Sequence, residues 1–466
     1  MDHNQKRYLS QIEKQKRALL DGKADISLTH ILSSERCQSL FSECREFRDR
    51  VYTPLKTVFS FIKQVLNPDK SCKKAVAGVV VERLSKGQKK VSSNTGPYCK
   101  ARQRLPEELL YELVKEVGKA PLKNAPRTWK PYGREVKAFD GSTGKAADTP
   151  ENQQVFPQLS SQQKGIGFPL LRFTTVISLT TGTVLDYVLG TYSGKGSGEP
   201  SMLREMLDCI EAGDIAVGDR YFTSFFLIAD LSQRGADVIF RGCSHRVYDF
   251  RRGDSLGKND HVVVWGKSKK PDWMDKKKYD AYPAEMQIRE FKVGGTIYVT
   301  TLLNPKKYHK KELARIYRRR WEIEITLKNI KDIMGMDRLS CKTPEMVRKE
   351  IGIHFLAYNF IRIIMAEACV KHEAIPWKIS FKGSVQLLNE FMPHFICASA
   401  TKNRLMYAEM LRLIVKNRVG NRPGRVEPRA VKQRPKCFAM LNKPRSIEKM
   451  RLMKQIERRI LRYAEA

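Results

Sequence analysis

The sequence predicts a mixed α/β fold, with a helical N-terminal region ahead of an α/β core and a basic helical C-terminal region behind it. Apolar side chains recur at helical spacing through much of the first 125 residues. Beyond residue 136, short apolar strands alternate with helices, which is the element order of an α/β sheet. A run of short, alternating segments then interrupts this order before long helices resume it.

Composition indicates a globular protein with a polyanionic partner. With 466 residues, 41% of them hydrophobic, the chain can bury a sizeable core, which excludes a disordered chain and a small disulfide-stabilised scaffold. The 86 Lys and Arg residues outnumber the 50 Asp and Glu residues, leaving a net charge of +36. Such an excess opposes compaction, so it favours nucleic acid as the partner, ahead of an anionic membrane surface.

Other patterns exclude a membrane protein and a zinc site. The most apolar segment, residues 352–370, contains a histidine, an asparagine, an arginine and a glutamate, so it predicts a buried helix and no membrane span. The ten cysteines include no C-x-x-C pair, and His245, His261 and His309 show no ligand spacing. We expect reduced thiols in a cytoplasmic protein.

The N-terminal region is open to two interpretations. Residues 52–65 carry an apolar face at helical spacing, and residues 105–117 form another predicted helix. The polar stretch between them, SSNTGPYCKARQR, ends in three basic residues. A basic helical domain before a core can bind a DNA sequence, but a structural helical cap with a solvated charged face has the same pattern.

The α/β core begins with a strand at residue 136 that ends in FDGST, which places Asp140 at the strand exit. The elements that follow alternate along the chain: a hairpin over 170–190, a helix over 201–210, a strand over 215–217, a helix over 225–233 and a strand over 237–240. The strand over 215–217 leads directly into Gly218 and Asp219. Acids at strand ends of an α/β sheet face the crevice where ligands bind.

The chain then divides into further segments. Short alternating runs with basic turns predict an inserted β subdomain, separate from the sheet. The domains predicted in this way are 1–125 (helical, DNA-binding), 126–240 (first part of the core), 241–295 (inserted β subdomain), 296–385 (second part of the core) and 386–466 (basic C-terminal region). Within the last two segments we expect a strand over 296–302, long helices over 305–333 and 345–370, an extended basic arm over 416–436 and a final helix over 446–464.

A charged stripe lies on the helix YRRRWEIEITLKNIK. At about 100° per residue, Tyr317, Arg320, Glu324, Lys328 and Lys331 share one stripe, which borders the apolar face instead of opposing it. An ordinary ladder of i,i+4 ion pairs would give the same stripe. The two strand-end acids favour a functional interpretation, because three converging carboxylates repel one another unless divalent cations neutralise them.

The same residues resemble a known family. Tyr317, Arg320, Glu324 and Lys331 have the spacing of the Y-R-E-K signature of IS4-family bacterial insertion-sequence transposases. Asp140 in FDGST and Asp219 in GDRYF are similar to the first two acids of that family's DDE triad, and a β insertion before the third acid is also a family feature.

This resemblance implies an RNase H-like core that cuts double-stranded DNA at the terminal inverted repeats and joins the 3′-hydroxyl to target DNA. It implies Asp140, Asp219 and Glu324 as ligands of two Mg²⁺ or Mn²⁺ ions, and a homodimer on DNA, near the nucleoid of a bacterial cytoplasm. The DNA-contacting residues that it implies are Tyr317, Arg320, Lys331, Arg241 and Tyr298.

Tyr298 occupies the place of the family's base-stacking aromatic, where a tryptophan would match more closely. Trp265 and Trp273 are alternatives for that role, although packing within the fold is the simpler expectation for both. Two alternative functions stay open: a catalytically decayed DNA-binding relative that regulates transposition, and an RNase H-like nuclease without joining activity.

Overall fold

The computed structural model describes residues 34–44, 51–194, 196–395, 399–420 and 441–464. The strands are β1 (Val136–Lys145), β2 (Leu170–Ser178), β3 (Val184–Thr191), β4 (Ile215–Gly218), β5 (Asp237–Arg241), β6 (Asp254–Gly257), β7 (Asp260–Gly266), β8 (Glu285–Val293) and β9 (Thr296–Thr300). The helices before the sheet and within its first half are α1 (Glu35–Ser42), α2 (Pro54–Leu66), α3 (Cys72–Ser85), α4 (Gly96–Arg104), α5 (Glu107–Lys119), α6 (Pro150–Val155), α7 (Glu199–Glu205) and α8 (Phe225–Gln233). The later helices are α9 (Lys276–Asp280), α10 (Lys310–Arg318), α11 (Trp321–Lys328), α12 (Pro344–Lys371), α13 (Phe381–Phe395), α14 (Ala400–Lys416) and α15 (Arg445–Ala464).

The nine strands form one mixed sheet in the order β3-β2-β1-β4-β5-β9-β8-β7-β6. β1 is antiparallel to β2 and parallel to β4, and β4 is parallel to β5. β9 pairs antiparallel with β5, and β8, β7 and β6 continue from it. The inserted strands therefore extend the sheet, and the expectation of a β subdomain separate from it is wrong. Alternating patterns predict strands, but they do not specify which free sheet edge those strands will join.

Both faces of the sheet are covered. Phe139 of β1 belongs to a buried cluster with Leu203 of α7 and Leu227 of α8, whereas Ala138 belongs to a second cluster with Ile323 of α11. Adjacent strand residues point to opposite faces, so α7 and α11 pack on opposite sides of β1.

α12 is the long apolar helix of the core. By length and composition it could cross a membrane, but 89% of its most apolar 18-residue window is buried inside the protein. Burial of this kind is what a core helix shows, as the sequence predicted.

Three local predictions need correction. β1 continues for five residues beyond Asp140, because residues 141–145 pair with β2. The polar stretch expected before α5 contains the helix α4, whose Arg102 is buried and donates to Gln64 at 3.3 Å. The predicted single helix over 305–333 is divided into α10, α11 and a π-helical turn, Asn329–Ile333.

The described part of the N-terminal region is helical, and α15 matches the predicted final helix. Most of the predicted basic arm, residues 421–436, lies outside the described residues.

Candidate active site

Two parallel strands place the first two acids side by side. Ala138 of β1 is paired with Val217 of β4, and Asp140 and Asp219 each lie two residues further along. Asp219 directly follows β4, and its carboxylate accepts a hydrogen bond of 2.8 Å from the Tyr221 amide. Since neighbouring strands lie about 4.8 Å apart, both acids belong to one edge of the β1–β4 pair.

A guanidinium group connects the third acid to the first. Buried Ile323 and Leu327 pack α11 against the sheet, which orients the charged face of the helix toward β1. Nη2 of Arg320 donates to Oε1 of Glu324 at 2.6 Å, and Nη1 lies 3.6 Å from Oδ2 of Asp140. Asp140 and Glu324, far apart in the sequence, therefore face the same cation.

The Asp140 carboxyl lies in a negative environment. Burial raises its pKa, and the charges on Glu199 and Asp219 raise it further, to about 6. The Gly141 amide, 2.9 Å from Oδ1, and the Arg320 guanidinium oppose this increase. The repulsion among these carboxylates favours binding of a cation at this edge of the sheet.

The other two residues of the Y-R-E-K set lie on the same side. Tyr317, near the end of α10, is 9% exposed; burial raises its pKa, and the nearby negative charge of Asp219 raises it as well. Nζ of Lys331 lies 3.1 Å from the Ser142 hydroxyl, two residues beyond Asp140 on β1. The structure thus places Arg320, Glu324 and Lys331 beside β1 and Tyr317 beside Tyr298 of β9, and the four residues do not lie on one continuous helix.

The division of the helix occurs at the functional residues themselves. Between α10 and α11, amides bond to carbonyls three residues earlier, as Arg320 does to Tyr317 at 2.8 Å and Ile323 does to Arg320 at 3.0 Å. The π-helical turn then contains Lys331. Tightened and widened helical turns of this kind are frequent at functional sites. A uniform 100° per residue therefore approximates the stripe but does not describe it.

Arg241 and Tyr298 differ in exposure. Arg241 ends β5, is exposed, and pairs across the sheet with Tyr298 of β9. Tyr298 is 5% exposed; its ring stacks on Phe291 and meets Tyr317 edge-on, with centroid distances of 5.1 Å in both cases. Stacking on a displaced base requires this ring to leave the core, so that role of Tyr298 stays a prediction.

The alternative aromatic candidates, Trp265 and Trp273, also differ in exposure, and one of the histidines is buried. Trp265 is 2% exposed and its Nε1 donates to Glu290 at 2.8 Å, whereas the 54% exposed ring of Trp273 lies 4.2 Å from the Arg204 guanidinium. His261 is buried, with Nε2 3.0 Å from the other oxygen of Glu290. Trp265 and His261 therefore belong to the packed interior of the inserted strands.

The acids fit a divalent cation by chemistry more than by their present spacing. Within the described ranges, no three His, Cys, Asp or Glu side chains are close enough together to hold one metal ion. Carboxylate oxygens are nevertheless the donors that Mg²⁺ and Mn²⁺ prefer. Arg320 occupies the space between Asp140 and Glu324, and its buried Nε has no hydrogen-bond partner in the described part of the chain. The donor set therefore fits a divalent cation if this guanidinium moves aside.

One acid of this region, Glu199, is absent from the residues that the sequence singles out. It is the first residue of α7, and it acts electrostatically on Asp140. An acidic residue in the first turn of a helix is common, because it interacts favourably with the helix dipole. The sequence therefore contains no signal that separates Glu199 from an ordinary helix-starting acid.

The chain is similar in sequence to known transposases. The transposase DDE domain family matches residues 131–360, a range that includes Asp140, Asp219 and Glu324. The chain is 24% identical over 349 residues to transposase InsG of insertion sequence element IS4 from Escherichia coli K12, covering 72% of this chain and 76% of that protein.

Shorter matches point in the same direction. Over 72 residues, or 16% of this chain, it is 31% identical to the putative transposase InsL of IS186A from Escherichia coli K12, covering 20% of that protein. The same identity over the same length is found with the transposase of IS421 from Escherichia coli, covering 19% of it. The chain therefore belongs to the IS4 family of transposases that carry a DDE domain.

Proposed function

We propose that this transposase cleaves DNA at the ends of its element and joins the 3′-hydroxyl to target DNA, with Asp140, Asp219 and Glu324 holding two Mg²⁺ or Mn²⁺ ions. The observation that carries the proposal is the convergence of these acids from β1, the end of β4 and α11, with Arg320 connecting two of them. Asp140, within β1, and Asp219, directly after the adjacent parallel strand β4, lie side by side in a mixed sheet, which also supports an RNase H-like core.

The chain's own residues bind and orient the DNA. Bound divalent cations supply Lewis-acid chemistry, which activates water or a 3′-hydroxyl and stabilises the leaving oxygen. Arg320, released from its acidic partners, and Lys331 on the same side of the site bind the phosphates that flank the scissile one. Exposed Arg241 extends this cationic surface beyond the end of β5.

Tyr317 restricts the position of the Arg320 side chain. The positive charge of Arg320 acts on its hydroxyl, and its ring packs edge-on against Tyr298. A buried tyrosine held in this way restricts the directions that the guanidinium can take, so it acts on DNA through Arg320 as well as through its own hydroxyl.

The assembly and the DNA-reading region complete the proposal. A homodimer bridges two terminal inverted repeats, in the cytoplasm and near the nucleoid. The helical region before β1 contributes sequence recognition, and the basic arm contributes sequence-independent phosphate contacts, consistent with the net charge of +36.

The test uses the full-length protein and a plasmid that carries the inverted repeats flanking its coding region, with Mg²⁺ or Mn²⁺. We expect cuts at the repeat ends and joined products when target DNA is supplied. Asp219→Asn should abolish both, whereas Asp208→Asn, at a side chain 95% exposed, should retain both. Binding without cleavage in either metal would instead indicate a decayed, regulatory relative, and cleavage without joining would indicate a nuclease.

A further inference from the structure

A fourth carboxylate approaches the same strand from the opposite face. Glu199 begins α7, whose Leu203 packs with Phe139 in one buried cluster, whereas Ile323 of α11 packs with Ala138 in the other. Glu199 and Glu324 therefore reach the edge of β1 from its two sides. Glu199 contacts β1 at a glycine, so its side chain lies directly against the strand backbone.

That glycine is Gly141, the residue after Asp140. A Cβ placed on Gly141 would lie 2.3 Å from Oε1 of Glu199 and 2.4 Å from its Cδ. The Glu199 carboxylate thus fills the space that any other residue at position 141 would need. The Gly141 amide meanwhile donates to Oδ1 of Asp140 at 2.9 Å, so the carboxylate of Glu199 is held against the backbone that orients the first acid.

The negative charge of Glu199 is not neutralised by a direct contact with a described residue. No described residue forms a salt bridge with it or donates a hydrogen bond to its carboxylate within the ranges that the structure covers. Arg172, the nearby cation, instead donates through Nη1 to the Ser197 carbonyl at 3.0 Å. Burial raises the pKa of Glu199; the charge of Arg172 opposes this, and that of Asp219 adds to it. An acid that served only the dipole of α7 would gain nothing from proximity to two other carboxylates.

We propose that Glu199 is a fourth carboxylate ligand of the divalent-cation site, binding the cation directly or through one of its waters. This inference rests on the proposed function, because it concerns the same site. Carboxylates from β1, β4, α7 and α11 then surround the cation from both faces of the sheet, and their repulsion in its absence is offset when it binds.

The first experiment measures Mn²⁺ binding by electron paramagnetic resonance on the full-length protein, without DNA. Glu199→Gln keeps the size of the side chain and removes the charge, so Mn²⁺ affinity should fall at least about tenfold, as it does when supporting groups of metal sites are changed. Glu205→Gln, at the exposed end of the same helix, is the matched control and should bind like wild type. Equal affinities for the two variants would overturn the inference.

A second variant displaces the same carboxylate by changing the glycine that it contacts. Gly141→Ala places a methyl group where Oε1 of Glu199 lies, and the side chain can rotate away, so we expect the fold to be retained. Mn²⁺ affinity should fall about as much as in Glu199→Gln, and combining both changes should add little further loss. Fully additive losses would show that position 141 acts independently of Glu199 and would count against the inference.

The outcomes separate this inference from the proposed function. If Asp140→Asn and Asp219→Asn abolish Mn²⁺ binding and DNA cleavage while Glu199→Gln preserves both, only the inference fails. If the wild-type protein neither binds Mn²⁺ nor cleaves DNA, the proposed function fails and the inference fails with it. Thermal unfolding in EDTA checks folding; Glu199→Gln should melt no lower than wild type, since it removes a repulsive charge.

Discussion

Buried acids occur in two parts of the same sheet and are neutralised to very different degrees. In the inserted strands, Asp260 accepts two hydrogen bonds of 2.8 Å from Arg289, and both side chains are almost fully buried. Glu290 in the same strands accepts from a tryptophan at 2.8 Å. At the β1–β4 edge, Asp140 lies 3.6 Å from Arg320, beside further carboxylates, and its pKa is raised to about 6.

The difference separates structural acids from acids suited to an external ligand. A buried carboxylate with a bidentate guanidinium partner needs nothing else, and removing that partner is costly. Carboxylates that repel one another are not fully neutralised by the protein's own cations. They therefore favour binding of an external cation. Perturbed carboxyl groups of this kind cluster at functional sites.

The largest expected effect is on catalysis at the β1–β4 edge. Glu324→Gln should reduce Mg²⁺-dependent cleavage at least about 10³-fold, because it removes one of three charged ligands that act as a unit. DNA binding should stay near normal, as measured by gel shift. Glu312→Gln, at an exposed pair with Arg315 on α10, is the matched control. Retained cleavage in Glu324→Gln would refute the assignment of the third acid.

The next largest effect is on stability in the inserted strands. Arg289→Met should lower the free energy of unfolding by about 3–5 kcal/mol, because it leaves Asp260 buried without its partner. It also removes the donor to the carbonyls of Leu302 and Tyr308, which precede α10. Urea denaturation measures the loss, and Arg251→Met, at a 90% exposed side chain, should cause no measurable change. Similar results for both variants would mean that the buried pair is not structural.

A smaller, pH-dependent effect is expected at Asp140. Because the pKa is raised from 3.8 to about 6, by burial first and then by neighbouring acids, the folded protein holds this proton more tightly than the unfolded chain does. Stability is therefore lost as pH rises from about 4 to about 6, by up to about 3 kcal/mol. In EDTA, Asp140→Asn should be more stable than wild type at pH 7.5, with little difference near pH 4. A difference that does not change with pH would contradict the raised pKa.

The smallest effect concerns DNA affinity. Lys331→Ala should reduce the slope of log affinity against log salt by about one, since it removes one phosphate contact. Lys277→Ala, at an exposed position in the insertion, should leave the slope unchanged if DNA lies along the β1–β4 edge. Equal slopes for the two variants would show that charge alone, and not position, determines binding.

The sequence predicted those features that depend on local patterns of apolar and charged residues. Asp219 follows a short apolar strand, and Glu324 lies on a helix whose charges border its apolar face, so both positions could be predicted. The long helix α12 was also predictable, because polar side chains interrupt its apolar run. The match to the transposase DDE domain family supports the relationship that these residues indicated.

Features that depend on contacts between distant segments could not be predicted from the sequence in this way. The extension of β1 beyond Asp140 depends on β2, and the attachment of β9 depends on the free edge of β5. The salt bridges of Arg320 depend on the tightened turn before α11. Glu199 could not be identified, because its contact with Gly141 arises only when α7 packs on the sheet.

The most direct test of the account is a crystal structure of the full-length protein bound to a terminal inverted repeat and Mn²⁺, with anomalous data. We predict anomalous peaks about 2.1 Å from oxygens of Asp140, Asp219 and Glu324, and an Arg320 guanidinium that has moved from between the acids to a phosphate. Peaks remote from these carboxylates, or Arg320 still bridging Asp140 and Glu324 beside bound DNA, would contradict the account.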